Sequence, residues 1–553
     1  GGESGYIAVH PKKPTTIYAG NYGGYLTKYD KRTDQTEDIN VWPDNPMGGG
    51  ADSAKYRFQW TFPIVISPHD PNTVYCTGNV VFKSTNEGKS WEIISPDLTR
   101  NDKSKQASSG GPITKDNTGV EYYCTIFAFV ESRVQKGLLW AGSDDGLIHV
   151  SPDGGGTWKN VTPKDLPDWS RISLIEASLH DAGTAYVAAK RYELDDFRPF
   201  IYKTSDFGKT WKRIVKGIPD NEFVHAVRED PNRKGLLYAG TERGMWISFD
   251  DGENWQTLQF NLPVVPIHDL AIQPREKDLV VATHGRSFWV LDDLTPLYQL
   301  EEASKKATYL FQPRLTYRMQ GSGGFGRSGS KTGKNPSSGA MVYYYFKTKP
   351  KDEVKLEFLD SRGKLVKEFS SKEEPRDGEQ PRESDEESGF RGRGAAQRLP
   401  ADSGMNRFSW DLRHTDATTV PGALLWDGST RGPVAIPGTY TVRLILGSDT
   451  LAQSFEVKLD PRVETTQGDL QEQLDFLLKV RDKLSATDEA INTIRDIKKQ
   501  TEDVSKRSQT HPSKSAIRDA VKALNERLSS VEEEQIQTKI KSSQDALNYP
   551  IKL

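Results

Sequence analysis

Six carboxylates and nine other polar side chains have the types and placement to do chemistry together. Glu121, Asp144, Asp145, Asp195, Asp196 and Glu242 fall in or beside loops that separate strand-like runs. Two such carboxylates facing a bound sugar across a cleft are what acid/base cleavage of a glycosidic bond requires. Arg57, Lys115, Asp116, Arg171, Tyr192, Arg198, Arg243, His284 and Arg286 fall on the same side of these segments and are the ligand-binding candidates. Tyr56, Trp169, Phe197 and Phe223 join Tyr192 there as stacking surfaces for a glycan or anchors for a peptide. None of the carboxylates stands in a motif typical of a glycosidase acid or nucleophile, so hydrolysis and recognition are both carried forward. His225, His268 and His284 lie on this side too, without the spacing of a metal triad. No cofactor is expected, with calcium held by turn carboxylates and carbonyls the one ion left open.

The elements that must position these residues recur along the chain. Four segments share one pattern: Ser84 to Trp91, Ser151 to Trp158, Thr204 to Trp211 and Ser248 to Trp255, each S/T-x-D/N-x-G-x-x-W and each flanked by strand-like runs. This is the Asp-box. Its carboxylate can accept backbone N–H groups within a hairpin turn, its glycine supplies positive φ, and its tryptophan packs beside the turn, so the boxes are structural. Ahead of each box comes an apolar strand ending in small residues, as in Val74-Tyr75-Cys76, Leu139-Trp140-Ala141-Gly142 and Leu237-Tyr238-Ala239-Gly240. Ile17-Tyr18-Ala19-Gly20 and Val280-Val281-Ala282 repeat that strand without a full box. Six repeats of four short strands read as propeller blades.

Counted from Ser84, Ser151, Thr204 and Ser248, the boxes are 67, 53 and 44 residues apart. Insertions at 96–118 and 190–198 account for the excess. Both connect strands at the edge opposite the boxes, as does the Gly-rich stretch 43–55, so function is expected on that face. His10, His69 and His180 fall on the box side and read as hydrogen-bonded turn residues.

Beyond the repeats the pattern changes twice. Val354, Leu356 and Phe358 alternate with charged residues, as do Tyr440, Val442 and Leu444 with theirs, and residues 406–412 form a third strand candidate. From Asp469 the period is helical: Leu470, Leu474, Leu477, Leu484, Ile491 and Ile494, then, after Pro512, Ile517, Val521, Leu524, Leu528 and Val531. The expected fold is mainly β: an Asp-box β-propeller, an immunoglobulin-like β-sandwich and a C-terminal α-helical hairpin. Residues 1–300 hold about six blades, completed by N-terminal sequence absent here. Residues 301–340 are a connecting segment ending in a Gly/Ser-rich linker, 341–462 the sandwich with a charged loop at 370–398, and 463–553 the helical tail, with a dimerising coiled coil as its alternative. Proteolysis is expected in 321–340 or 370–398.

Charge excludes more than it proposes. With 74 basic and 77 acidic residues, a net charge of -3 gives no electrostatic reason for nucleic acid or an anionic membrane. No apolar run is long enough to span a bilayer. Two cysteines, Cys76 and Cys124, allow a disulfide or two buried thiols. The opening Gly1-Gly2-Glu3-Ser4-Gly5 carries neither signal peptide nor initiator Met and suggests a processed piece.

The boxes, with Ser95-Pro96-Asp97-Leu98-Thr99-Arg100, Gly110-Gly111-Pro112-Ile113-Thr114 and Thr283-His284-Gly285-Arg286-Ser287-Phe288-Trp289, resemble the bacterial BNR-repeat "glycosyl hydrolase" or sortilin-like family. The resemblance implies a secreted, periplasmic or cell-surface protein about twice as long, with the N-terminal half as partner. It further implies polypeptide or glycan recognition opposite the boxes, or else a glycoside hydrolase of sialidase or xyloglucanase type. Sortilin-like propellers bind polypeptides in this region, which tilts the balance toward recognition.

Overall fold

The recurring apolar runs fold as the second strands of six small antiparallel sheets. A computed structural model describes residues 5–111, 113–119, 122–319, 339–372, 398–423, 429–540, 545, 547–550 and 552. Two units divide the chain, Gly1–Leu294 and Thr295–Leu553, and the six sheets make up the first. Their second strands are Thr16–Gly20, Val74–Thr77, Leu139–Ser143, Ala185–Arg191, Leu237–Thr241 and Asp278–Thr283. Leu139–Ser143 and Leu237–Thr241 are buried along their whole length. Sheets stacked face to face cover such strands on both sides, which explains unbroken apolar runs instead of alternation.

The first strands of the sheets are Ile7–Val9, Ile64–Ile66, Ile126–Glu131, Arg171–Ala177, Val224–Glu229 and Ile267–Gln273. Each packs on the first strand of the next sheet, in a propeller-like succession. Arg228 of sheet 5 pairs with Glu176 of sheet 4 at 2.8 Å and Asp269 of sheet 6 at 2.9 Å. Tyr6, beside the first strand of sheet 1, lies within the field of Asp269 and Arg228, so the inner strands converge. Sheet 6 has three strands rather than the expected four. After Phe288–Leu291 the chain turns back, the Leu294 amide donating to Lys277, and enters the helix Thr295–Ser304.

The four Ser/Thr-to-Trp segments fold alike. In the second, the Asp153 carboxylate accepts from the Thr157 amide and hydroxyl, both at 2.8 Å, and the Ser151 hydroxyl accepts from the Gly155 amide at 2.9 Å. Each tryptophan Nε1 donates to a carbonyl of the preceding sheet: Trp91 to Ile39, Trp158 to Ile94, Trp211 to Val161 and Trp255 to Ile214. The box glycine presses on the same four residues. A Cβ on Gly208, whose φ is +79°, would stand 2.7 Å from Val161 Cβ. The segment therefore latches one sheet onto the last as well as turning the chain. His69 and His180 add bonds of 2.8 Å to Ser132 and Asp230 of the following sheets, and the His10 ring accepts two turn amides. Cys76 and Cys124 are buried free thiols.

In the second unit, a three-stranded sheet (Thr308–Leu310, Ala340–Phe346, Gly404–Trp410) and a five-stranded sheet share one core. Val342, Tyr344, Leu356, Phe358, Trp410, Val442 and Leu444 fill it. Two short strands within the expected connecting segment belong to these sheets: Thr308–Leu310 pairs with Ala340–Phe346, and Thr316–Arg318 runs parallel to Asp449–Leu459. The helices Gln467–Arg507 and Lys514–Gln535 follow, the first opened by a capping box of Thr466 and Asp469. Arg495 and Lys498 both reach Glu532, and Thr501 reaches Asn525, so the two run in opposite directions. Most of 321–340 and 370–398 lies outside the described residues.

Candidate functional site

Inner strands of three neighbouring sheets carry a β-bulge at the same level, near the edge away from the boxes. The register slips between Ile172 and Leu174, between Val224 and Ala226, and between Ile267 and Asp269, leaving Ser173, His225 and His268 as the extra residues. A bulge re-aims the side chain it frees. Two of these three are histidines, and their rings lie 4.3 Å apart between sheets 5 and 6, with His284 4.7 Å beyond.

Sheet 4 supplies the other wall. Its second strand, Ala185–Arg191, carries Lys190 as its penultimate residue and leads into a 3-10 turn, Tyr192–Leu194. Asp196 staples this turn, accepting from Arg198 at 2.8 and 2.7 Å and from Arg191 at 3.5 Å. The Tyr192 ring thereby stacks on Phe223 of sheet 5, 4.8 Å between centroids and 17° between planes. Lys190 Nζ lies 3.1 Å from His225 Nδ1, and His225 Nε2 lies 2.9 Å from a Glu242 oxygen. An ionised Glu242 only accepts, so the proton sits on Nε2 and the free Nδ1 accepts from Lys190. The result is a row running Glu242, His225, Lys190, flanked by Tyr192 and Phe223.

Burial sets the charges in this row. It pushes His225 down to about 2, helped by the Lys190 ammonium, and His268 down to about 4, so both rings are neutral. Burial also pulls Lys190 down to about 8, with neighbouring Arg171 acting the same way. The Glu242 carboxyl is raised, again by desolvation first. Arg171 is the cross-strand partner of Lys190 and pairs with Glu193 at 2.8 Å. Among the described residues, no group of three or more His, Cys, Asp or Glu side chains is placed to hold a metal ion.

A second polar cluster lies at the same level between sheets 2 and 3. Arg57, 3% exposed, donates to the Cys124 carbonyl at 3.0 Å, to Asp97 at 2.7 Å and to Thr99 at 3.2 Å. Asp144 accepts from the Thr125 amide and hydroxyl at 2.9 and 2.7 Å. Asp145 accepts from the Arg100 amide at 2.8 Å and from the Ser143 hydroxyl. Burial raises both carboxyls, Asp144 to about 7. Arg57, Asp144 and Asp145, expected to face a ligand, instead face one another's sheets beneath the surface.

The remaining candidates are dispersed. Asp195 occupies the left-handed C-cap of the 3-10 turn, φ 57°, and Asp196 is held by its two arginines. Lys115 and Asp116 are exposed on the longer insertion, where Asn117 bonds Gly48 of the 43–55 stretch. Arg243 and Arg286 are exposed beside the histidine row and make no ion pair among the described residues, whereas Glu121 lies outside them. No two candidate carboxylates face each other across an open cleft among the described residues. The sequence reading passes over Lys190 and Glu193. The signal Lys190 carries is a lysine ending an unbroken apolar run, Ala185 to Ala189.

No protein-family model matches the chain. It is similar to a probable oligoxyloglucan-reducing end-specific xyloglucanase of Neosartorya fischeri, 21% identical over 321 residues, 52% of this chain and 37% of that protein. Xyloglucanase Xgh74A of Acetivibrio thermocellus is 26% identical over 157 residues, 24% of this chain and 18% of that one. Vacuolar protein sorting/targeting protein 10 of Colletotrichum graminicola matches at 30% over 110 residues, 19% of this chain and 6% of that protein. Among solved structures, the GH74 xyloglucanase of Xanthomonas campestris has a TM-score of 0.39 at 18% identity, covering 52% of this chain and 44% of that one. The chain thus spans well under half the length of the curated relatives it matches. No helix among the described residues is long and apolar enough to cross a membrane.

Proposed function

We propose that this chain is an exported recognition propeller that binds a glycan or a polypeptide on the face opposite the boxes, at the corner built by sheets 4 to 6. One observation carries the reading: a stacked aromatic, Tyr192, stands beside a buried lysine whose ammonium has, among the described residues, a neutral imidazole as its one hydrogen-bond partner. A polar row of this kind fixes the orientation of a ligand while the ring supplies contact area. Similarity to xyloglucanases supports a glycan; the sorting-protein match keeps a polypeptide in the reading. Ile7 and Val9 on sheet 1, and Phe288 and Val290 on sheet 6, are exposed and would receive the expected upstream blades. Exchanging Tyr192, Lys190 and Arg243 together for Ala is expected to abolish ligand capture with the fold intact; unchanged capture would reject the site.

Glycoside hydrolysis is the second reading, favoured by the same xyloglucanase matches. It requires paired carboxylates at an open cleft, and among the described candidates Glu242 is the one both partly exposed and raised by burial. Release of reducing sugar from xyloglucan oligosaccharides, lost in Glu242→Gln, would establish it.

A further inference from the structure

Lys190 is 8% exposed, and among the described residues no carboxylate lies within ion-pair distance of its ammonium. Burying a charge without a counter-ion is costly, and such groups are normally paired. Two carboxylates, Glu193 and Glu242, act on it from beyond that distance, and each is bonded elsewhere, Glu193 to Arg171 at 2.8 Å and Glu242 to the neutral His225 ring at 2.9 Å. Arg171 stands directly opposite Lys190 across the strand pair, an arrangement of like charges that destabilises a sheet. Arg243 and Arg286, on the turns after Glu242 and His284, and Asp195, on the 3-10 turn, are exposed and make no ion pair among the described residues.

The corner therefore holds a buried ammonium without a salt bridge beside a flat ring. Tyr192 is backed by Phe223, and Lys190 Nζ lies 5.6 Å from its centroid. Tyr192 and Phe197 are 37% and 47% exposed. Rings held flat in this way suit the C–H face of a pyranose better than a flexible peptide side chain. Resting on the recognition reading above, we propose that the ligand is an acidic saccharide, with a uronic-acid carboxylate accepting from Lys190 and the sugar ring against Tyr192. A neutral saccharide would cover the ring and leave the ammonium as it stands.

Calorimetric titration of the intact chain with a short oligogalacturonide, its methyl ester, a neutral xyloglucan oligosaccharide and an oligoglutamate tests this. The acid is expected to bind, and esterification to weaken it roughly tenfold or more. Lys190→Gln should weaken the acid equally and leave the ester unchanged, while Tyr192→Ala should weaken both, with melting curves reporting the fold of each variant. The comparison of acid with ester on the unaltered chain needs no variant. Equal binding of acid and ester, or tighter binding of oligoglutamate, would overturn the proposal. Binding of the neutral oligosaccharide alone would overturn it and leave glycan recognition standing; binding of none of the four would bring down both.

Discussion

The clusters around Arg57 and Lys190 look alike in composition, and each ties neighbouring sheets together at the same level, yet they differ in how their charges are answered. Arg57 finds a carboxylate, a carbonyl and a hydroxyl, and Asp144 and Asp145 each find two donors. Lys190 finds one neutral ring. A satisfied network rigidifies a fold, whereas an unsatisfied one costs stability and persists where something else requires it. The contrast teaches that polar residues on a propeller face are sorted by their partners, not by their types.

Removing the cations should separate the clusters most sharply. Arg57→Ala removes the buried cation shared by Asp97, Thr99 and the Cys124 carbonyl, leaving Asp97 only its bonds from Asn79 and Thr99, and chemical denaturation is expected to show a loss of about 3–5 kcal/mol. Lys190→Met should act in the opposite direction at neutral pH, stabilising by roughly 1–3 kcal/mol. The sign follows from the depressed pKa. Between about 8 and 10.5 the unfolded lysine holds a proton that the folded one has lost, so stability rises with pH across that window. Destabilisation by Lys190→Met would mean that its charge is answered after all.

Asp144 gives a pH signature of the other sign. Its carboxyl, raised from 3.8 to about 7, stays protonated in the fold where the unfolded chain has released the proton. Stability should therefore fall as pH rises from about 4 to about 7, by a few kcal/mol at most, and the slope should flatten in Asp144→Asn. A melting series in which the two proteins stay parallel would contradict the burial of this carboxyl.

Little of this sorting was legible in the sequence. The boxes and second strands were, because they are local: a turn motif within eight positions and an apolar run of four or five. Partners were not. Arg57 meets Asp97 and Arg100 meets Asp168 across 40 and 68 residues, and nothing in the intervening sequence marks either pairing. The bulges that free His225 and His268 are likewise silent, since Val224–Glu229 is buried almost throughout and Ile267–Gln273 shows no strict two-residue alternation. Strands of three residues such as Thr308–Leu310 and Thr316–Arg318 are too short for a period to show, and so read as connection.

Smaller effects sharpen the same comparison. Asp206→Ala removes the acceptor for the Thr210 amide and hydroxyl, and a loss of roughly 1–3 kcal/mol in thermal or urea unfolding is expected, with ligand binding retained. Tyr192→Ala removes one exposed ring from a stack and should cost about 0.5–1.5 kcal/mol.

The most direct measurement sets one variant from each cluster side by side against the same ligand. Binding of an oligosaccharide is titrated calorimetrically to the unaltered chain, to Tyr192→Ala and to Asp144→Asn, with melting midpoints recorded for all three. The account predicts that Tyr192→Ala loses binding while its midpoint moves little, and that Asp144→Asn binds as the unaltered chain does. Binding retained in Tyr192→Ala and lost in a folded Asp144→Asn would place the site in the other cluster and contradict it.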